Sequence, residues 1–145
     1  MDIGLGQECT AGDCIEGYGN YIYEDGAKYI GIFENGQKSG EGMYIYLDGS
    51  TYIGNFKDGN MHGKGEFIFS DGSAYSGEFE NGEMHGWGMF NYHDGTMYEG
   101  GFKNGIRSGD GVLTLNSGDE YSGTFSDGVL NGSGIWQGDN GNKYL

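Results

Sequence analysis

The side chains able to do chemistry are few and scattered. His62 and His85 each stand in a Met-His-Gly triplet. A shared metal would need them to converge, because Zn–N bonds are only about 2 Å long. Equivalent positions in successive β-hairpins lie roughly 10 Å apart, so a shared ion is not expected. Asp48-Gly49, Asp71-Gly72 and Asp94-Gly95 invite a calcium reading. The Gly-Gly-x-Gly-x-Asp repeat of calcium-binding β-helices is absent, however, and turn chemistry accounts for these pairs. Ser70, His93 and Asp94 are close only as turn neighbours. Catalysis needs a nucleophile, a base and an orienting group converging in a pocket. No catalytic residue, metal ligand or cofactor site is assigned, and enzymatic activity is not expected. Cys9 and Cys14, four residues between them, permit a disulfide in an exported protein or two free thiols.

The elements that carry these residues follow from composition. Gly supplies 33 of 145 residues, where average usage of roughly 7% would give about ten. Pro is absent, which excludes collagen and Pro-rich linkers. Twelve Tyr, eight Phe and two Trp argue against a disordered chain. Glycine beside aromatics points to turns and close-packed backbone in a β structure. Seven basic residues against 22 acidic ones leave a net charge of −15. Nucleic acid is thereby excluded as a partner, and an anionic membrane surface is disfavoured. No apolar run reaches the roughly 20 residues of a membrane span, and the opening residues lack the pattern of a signal peptide.

A period of 23 organises the chain. Tyr recurs at Tyr29, Tyr52, Tyr75, Tyr98, Tyr121 and Tyr144. Gly follows two residues later, Phe four later (Phe33, Phe56, Phe79, Phe102, Phe125), and Gly again seven later. A Gly-x-Gly pair then recurs from Gly40/Gly42 to Gly132/Gly134, and each unit closes on Asp-Gly or a relative. A leading half-unit occupies residues 13–28, five full units run over 29–145, and residues 1–12 fall outside the frame.

The pattern Y-x-G-x-F-x-x-G-x-x-x-G-x-G-x-x-x-x-x-D-G-x-x resembles the MORN (membrane occupation and recognition nexus) repeat over nearly the whole chain. The late units depart from it: Leu113 and Leu115 replace an aromatic pair, and Gly138 replaces an aromatic or Leu. The resemblance implies scaffolds, dimerisation modules or accessory domains, with phospholipid binding as an alternative, and it implies that His62 and His85, at equivalent positions, are loop residues. The opening Cys9-x-x-Gly12-Asp13-Cys14 is similar to the start of bacterial exported MORN proteins, which implies an exported or cell-surface location.

Alternation puts Tyr29, Gly31 and Phe33 on one face of a strand, and Gly40, Gly42, Tyr44 and Tyr46 on the same face of the next. A two-residue Asp48-Gly49 loop would pair Tyr44 with Ile53 and break that face. A three-residue loop, Leu47-Asp48-Gly49, pairs Tyr44 with Tyr52 and Gly42 with Gly54. The other connection, residues 34–39, is expected to be longer. The fold class is therefore all-β: one elongated, twisted, open-ended antiparallel meander of about a dozen strands, curling toward its ring-lined face, with rings laid on glycine notches in place of a core.

The opposite face has no fixed residues. Early in the chain it carries Ile30, Ile32, Met43, Ile45 and Ile53; later units carry Ser76, Glu78, Glu99, Thr114, Ser122 and Thr124. Solvated sheet faces read polar, so the apolar cluster requires a cover: residues 1–12, a second chain, or a protein partner. Trp87 falls opposite Gly101 and is read as a ring over bare backbone. The function expected is a non-catalytic scaffold for protein–protein interaction, including self-association through end strands near residues 18–23 and 135–144.

Overall fold

The computed structural model describes residues 7–141 and the backbone of residues 143 and 144. Residues 1–6, and the side chain of Tyr144 that closes the sequence period, lie outside the described residues. Among the described residues, thirteen strands form one antiparallel sheet in strict sequence order. They are β1 (Glu8–Gly12), β2 (Gly17–Ile22), β3 (Lys28–Glu34), β4 (Gln37–Ile45), β5 (Thr51–Lys57), β6 (Asn60–Ile68) and β7 (Ala74–Glu80). Then follow β8 (Glu83–Asn91), β9 (Met97–Lys103), β10 (Ile106–Thr114), β11 (Glu120–Ser126), β12 (Val129–Gln137) and β13 (Lys143–Tyr144). At about 4.8 Å per strand the ribbon is roughly 60 Å long.

Two kinds of turn alternate. At the Asp-Gly turn Tyr44 pairs with Tyr52 and Gly42 with Gly54, as parity required. The Tyr46 amide donates to the Ser50 carbonyl at 2.8 Å, and the Gly49 amide to the Tyr46 carbonyl at 3.0 Å. Gly49 takes φ +90°, and the Asp48 carboxylate accepts the Ser50 amide at 2.8 Å. This is the turn-plus-bulge geometry that a three-residue hairpin loop adopts.

The other turn differs from expectation. It is a two-residue hairpin in which Glu34 pairs with Gln37. Asn35 (φ 51°) and Gly36 (φ 72°) are both left-handed, the backbone of a type I′ turn that Asn-Gly favours. The extra length sits inside the strand pair. Gly31 pairs with Gly42 but Ile32 with Ser39, so Gly40 and Glu41 form a bulge. His62 and His85 consequently lie on strands β6 and β8, not in loops. The bulge also turns Gly40 over: a Cβ there would meet the Ile32 side chain, on the face away from the rings.

Paired glycines cross the sheet in an unbroken row from Gly12 and Gly19 through Gly31, Gly42, Gly54, Gly65, Gly77 and Gly88 to Gly134. Rings fill this row. Tyr75 lies along its own strand, and its hydroxyl donates to the Glu78 carbonyl at 2.8 Å. A Cβ on Gly77 would come 2.6 Å from that hydroxyl and 2.5 Å from the Gly88 Cα. Tyr-x-Gly is thus a steric requirement, since the ring occupies the volume a side chain would need. Phe56, Phe79, Phe102 and Phe125 each meet two tyrosines edge-on: Phe79 packs on Tyr75 and Tyr52, with centroids 5.1 and 4.9 Å apart. Repetition of that contact links Phe33 to Tyr121 through every unit. Tyr29, Tyr52, Tyr75 and Tyr98 are 0% exposed without any second layer above them.

A second row of rings runs from Tyr21 through Tyr44, Phe67 and Phe90 to Tyr92, then stops where Leu113 takes the aromatic position. Strand pairing continues unchanged across β10, β11 and β12. The repeat backbone therefore tolerates loss of the second row so long as the Tyr-Phe ladder persists.

Candidate interaction face

The face opposite the rings is built by the residues between the conserved positions. Register places Asn20, Ile30, Met43, Ile53, Glu66, Ser76, Met89 and Glu99 in one row across the sheet. Beside it runs a second row at the bulges, pairing Tyr18 with Ile32, Glu41 with Asn55, Lys64 with Glu78 and Trp87 with Gly101. Ile45 lies in a third row between Lys28 and Thr51.

At its N-terminal end this face is apolar and open. Ile30, Met43 and Ile45 are half-buried, while Ile32 and Ile53 are 41% and 42% exposed and Tyr18 is 63% exposed. Of residues 1–12, one of the expected covers, residues 8–12 do not lie on it, because β1 pairs with β2 and extends the sheet edge, and residues 1–6 lie outside the described residues. The N-terminal edge is accordingly β1, not the strand beginning near Tyr18.

A disulfide joins Cys9 and Cys14, with the sulfurs 2.08 Å apart. Its position has a local physical reason. Gly42 is covered by the ring of Tyr29, thirteen residues earlier; the residue thirteen before Gly19 is Gly6, not tyrosine. A Cβ on Gly19 would instead meet the Cys14 sulfur at 2.7 Å. The sulfur occupies the notch that a ring fills in every later unit.

The residue between Gly and Phe, at positions 32, 55, 78, 101 and 124, covers the bulge of the following strand. The Asn55 side-chain amide donates to the Lys64 carbonyl at 3.2 Å, and a Glu78 carboxylate oxygen accepts the Trp87 amide at 3.1 Å. The Thr124 hydroxyl donates to the Asn131 carbonyl at 2.6 Å. Gly101 has no side chain to offer, and the volume its Cβ would need is taken by the Ser108 carbonyl. Trp87 does not fill that volume, contrary to the expectation of a ring over Gly101. Its side chain is 55% exposed.

Between the two rows lies a trough of about 700 Å³. Its floor is the backbone of Gly42, Gly54, Gly65 and Gly77. Ile53, Glu66 and Ser76 line one side; Glu41, Asn55, Lys64, Glu78 and Trp87 line the other. This trough opens on the face away from the rings. Sequence reasoning missed Tyr18, Glu41, Lys64 and Glu66 as neighbours of Ile32 and Ile53. Their common signal is cross-strand register, which alternation within a single strand does not carry.

Electrostatics separates the two faces. Burial pushes the phenols of Tyr29 and Tyr75 up to about 12, against the opposing pull of their hydrogen bonds to backbone carbonyls. Burial likewise lowers Lys38, whose ammonium lies 5.2 and 5.1 Å from the Tyr23 and Tyr44 ring centres. The Asp-Gly turns are anchored by carboxylates: the Ser73 and Thr96 amides hold Asp71 and Asp94 below the usual carboxylate range. His85 pairs with Glu80 at 3.0 Å. Among the described residues, no three His, Cys, Asp or Glu side chains gather as a metal site requires.

The MORN repeat family model matches residues 15–28, 29–51, 52–74, 75–97, 98–120 and 121–143. The chain is a MORN repeat protein. Its six matched units coincide with the ring-over-glycine hairpins, the first being partial. MORN repeats are non-enzymatic interaction repeats. No curated protein sequence matches the chain. Two solved structures are similar at low identity. One is the G-box domain of the microcephaly protein CPAP, 17% identical with a TM-score of 0.48, covering 87% of this chain and 71% of that one. The other is the TCP domain of SAS-4 (dCPAP) of Drosophila melanogaster, solved in complex with a proline-rich motif of Ana2 (dSTIL). It is 11% identical with a TM-score of 0.39, covering 95% of this chain and 87% of that one. Both values are too low to bear on what this MORN protein binds.

Proposed function

We propose that this MORN protein is a non-catalytic scaffold that docks a protein partner on the apolar end of its variable face. The observation that carries the reading is the open cluster of Tyr18, Ile32 and Ile53, flanked by Ile30, Met43 and Ile45, on a sheet whose ring face already supplies the packing. Exposed contiguous apolar surface of this kind marks interaction sites. The net charge of −15 favours a protein that is not itself acidic over a second copy of this chain or an anionic lipid surface.

The test replaces Ile32 and Ile45 by Asp. Because neither supports the ring ladder, the double variant is expected to lose at most about 1 kcal/mol of stability. Thermal melting checks that, and a pull-down from the native source checks capture. Loss of the partner with the melt preserved supports the reading. Undiminished capture by the variant overturns it, and sedimentation as a dimer that the substitutions dissolve would assign the face to a second copy instead.

A further inference from the structure

We infer that the trough running on from Ile53 to Trp87 receives an extended, lysine- or arginine-bearing segment of the partner, with one basic side chain seated against the Trp87 indole. The inference rests on the docking reading above and names the chemistry of what is docked. Three features of the trough support it independently of the apolar cluster.

The first is shape. The trough crosses β4 to β8 between two rows of side chains, a distance of about 19 Å at 4.8 Å per strand. That accommodates about six extended residues at roughly 3.3 Å each. Its floor is glycine backbone, and the larger side chains among the described residues line it on both sides.

The second is Trp87. The Trp87 indole leaves apolar surface in water: it is 55% exposed, lies outside the ring cluster and does not fill the volume beside Gly101. The Glu78 carboxylate accepts the Trp87 backbone amide at 3.1 Å, which fixes an anion close to the indole. A cation placed there meets a π face and a carboxylate together, the pairing that recognises guanidinium and ammonium groups.

The third is charge. Glu41, Glu66 and Glu78 line the trough against a single cation, Lys64, which register places directly opposite Glu78. A second copy of this acidic chain or an anionic headgroup would bring like charge into it. A basic segment would bring opposite charge, and steering of such a segment should weaken with salt.

The experiment uses the whole chain and a defined probe: a synthetic peptide of about ten residues alternating Lys or Arg with Val, beside its Glu-for-Lys counterpart. Titration calorimetry at low salt should show saturable one-to-one binding of the basic peptide and none of the acidic one. Trp87→Ala should weaken binding about tenfold. Glu66→Gln with Glu78→Gln should weaken it about tenfold and flatten its salt dependence. Glu24→Gln with Glu83→Gln makes the same change of net charge away from the trough and should shift affinity less than about twofold. Absence of saturable binding, indifference to Trp87→Ala, or equal weakening by the two charge pairs would overturn the inference. A native partner lost with the Ile32/Ile45 variant but untouched by Trp87→Ala and the Glu66/Glu78 pair would sink the trough and leave the docking face standing. Retention of that partner by the Ile32/Ile45 variant would sink the docking face itself.

Discussion

The two faces of the ribbon obey opposite rules. On the ring face each full unit repeats the same Tyr, Gly and Phe ladder, and four tyrosines are fully buried with no second sheet above them among the described residues. On the other face the same backbone positions carry Ile32, Asn55, Glu78, Gly101 and Thr124 in turn. The contrast teaches that a single sheet can concentrate its stability on one side. A ring lying along its own strand needs only a missing Cβ beneath it and an edge-on neighbour, and both come from the repeat. The opposite side is then free to vary, and individual recognition belongs there.

Titrating the whole ladder at once breaks the comparison most severely. The folded phenols of Tyr29 and Tyr75 ionise near 12, above the ordinary value of about 10 for an unfolded chain. Between those values the unfolded state has released protons that the folded state retains, so stability falls as pH rises. The contribution is whole below about pH 10 and is lost toward pH 12. Circular dichroism melts across that range should show cooperative unfolding, with no comparable transition between pH 6 and 9.

Single substitutions come next. Tyr75→Ala removes a buried ring and should cost about 3–5 kcal/mol. Gly77→Ala places a Cβ 2.5 Å from backbone and should cost several-fold more than Gly59→Ala. Gly59 is strained only by its φ of +82° and has open space around it, so about 1 kcal/mol is expected. Denaturant unfolding of the three variants orders these effects. Equal losses for Gly77 and Gly59 would show that the notch, as distinct from the backbone, is unimportant.

Replacing both cysteines by Ser should cost about 2 kcal/mol for so short a loop, between the effects of Gly59→Ala and Tyr75→Ala. The loss should be local. Hydrogen exchange is expected to accelerate in β1 and around Gly19 while the amides of β5 to β9 stay protected. A uniform loss across the ribbon would instead make the clip a support for the whole ladder.

Much of the ring face was legible in the sequence because its logic is local. Parity alone pairs Tyr44 with Tyr52, and the fixed spacing of Tyr, Gly and Phe announces the notch and the ring that fills it. The candidate site was legible only in part. Ile30, Ile32, Met43, Ile45 and Ile53 could be placed on the free face by alternation, but Glu66 and Trp87 could not be joined to them without carrying the register through two bulges.

The sequence by itself determined the period, the Asp-Gly turn and the face that the repeating Tyr, Phe and paired glycines take, since a strand alternates every two residues wherever it is built. Tertiary structure decided the rest. Left-handed backbone at Asn35, Gly36 and Gly40 converts an expected loop into a tight turn and a bulge. That bulge parts two rows of side chains, and a trough lies between them. The N-terminal strand adds to the edge instead of folding over the apolar cluster, with the Cys14 sulfur in the notch where no tyrosine stands. These outcomes depend on which backbones lie side by side, and a repeat pattern does not contain that information until its strands are paired.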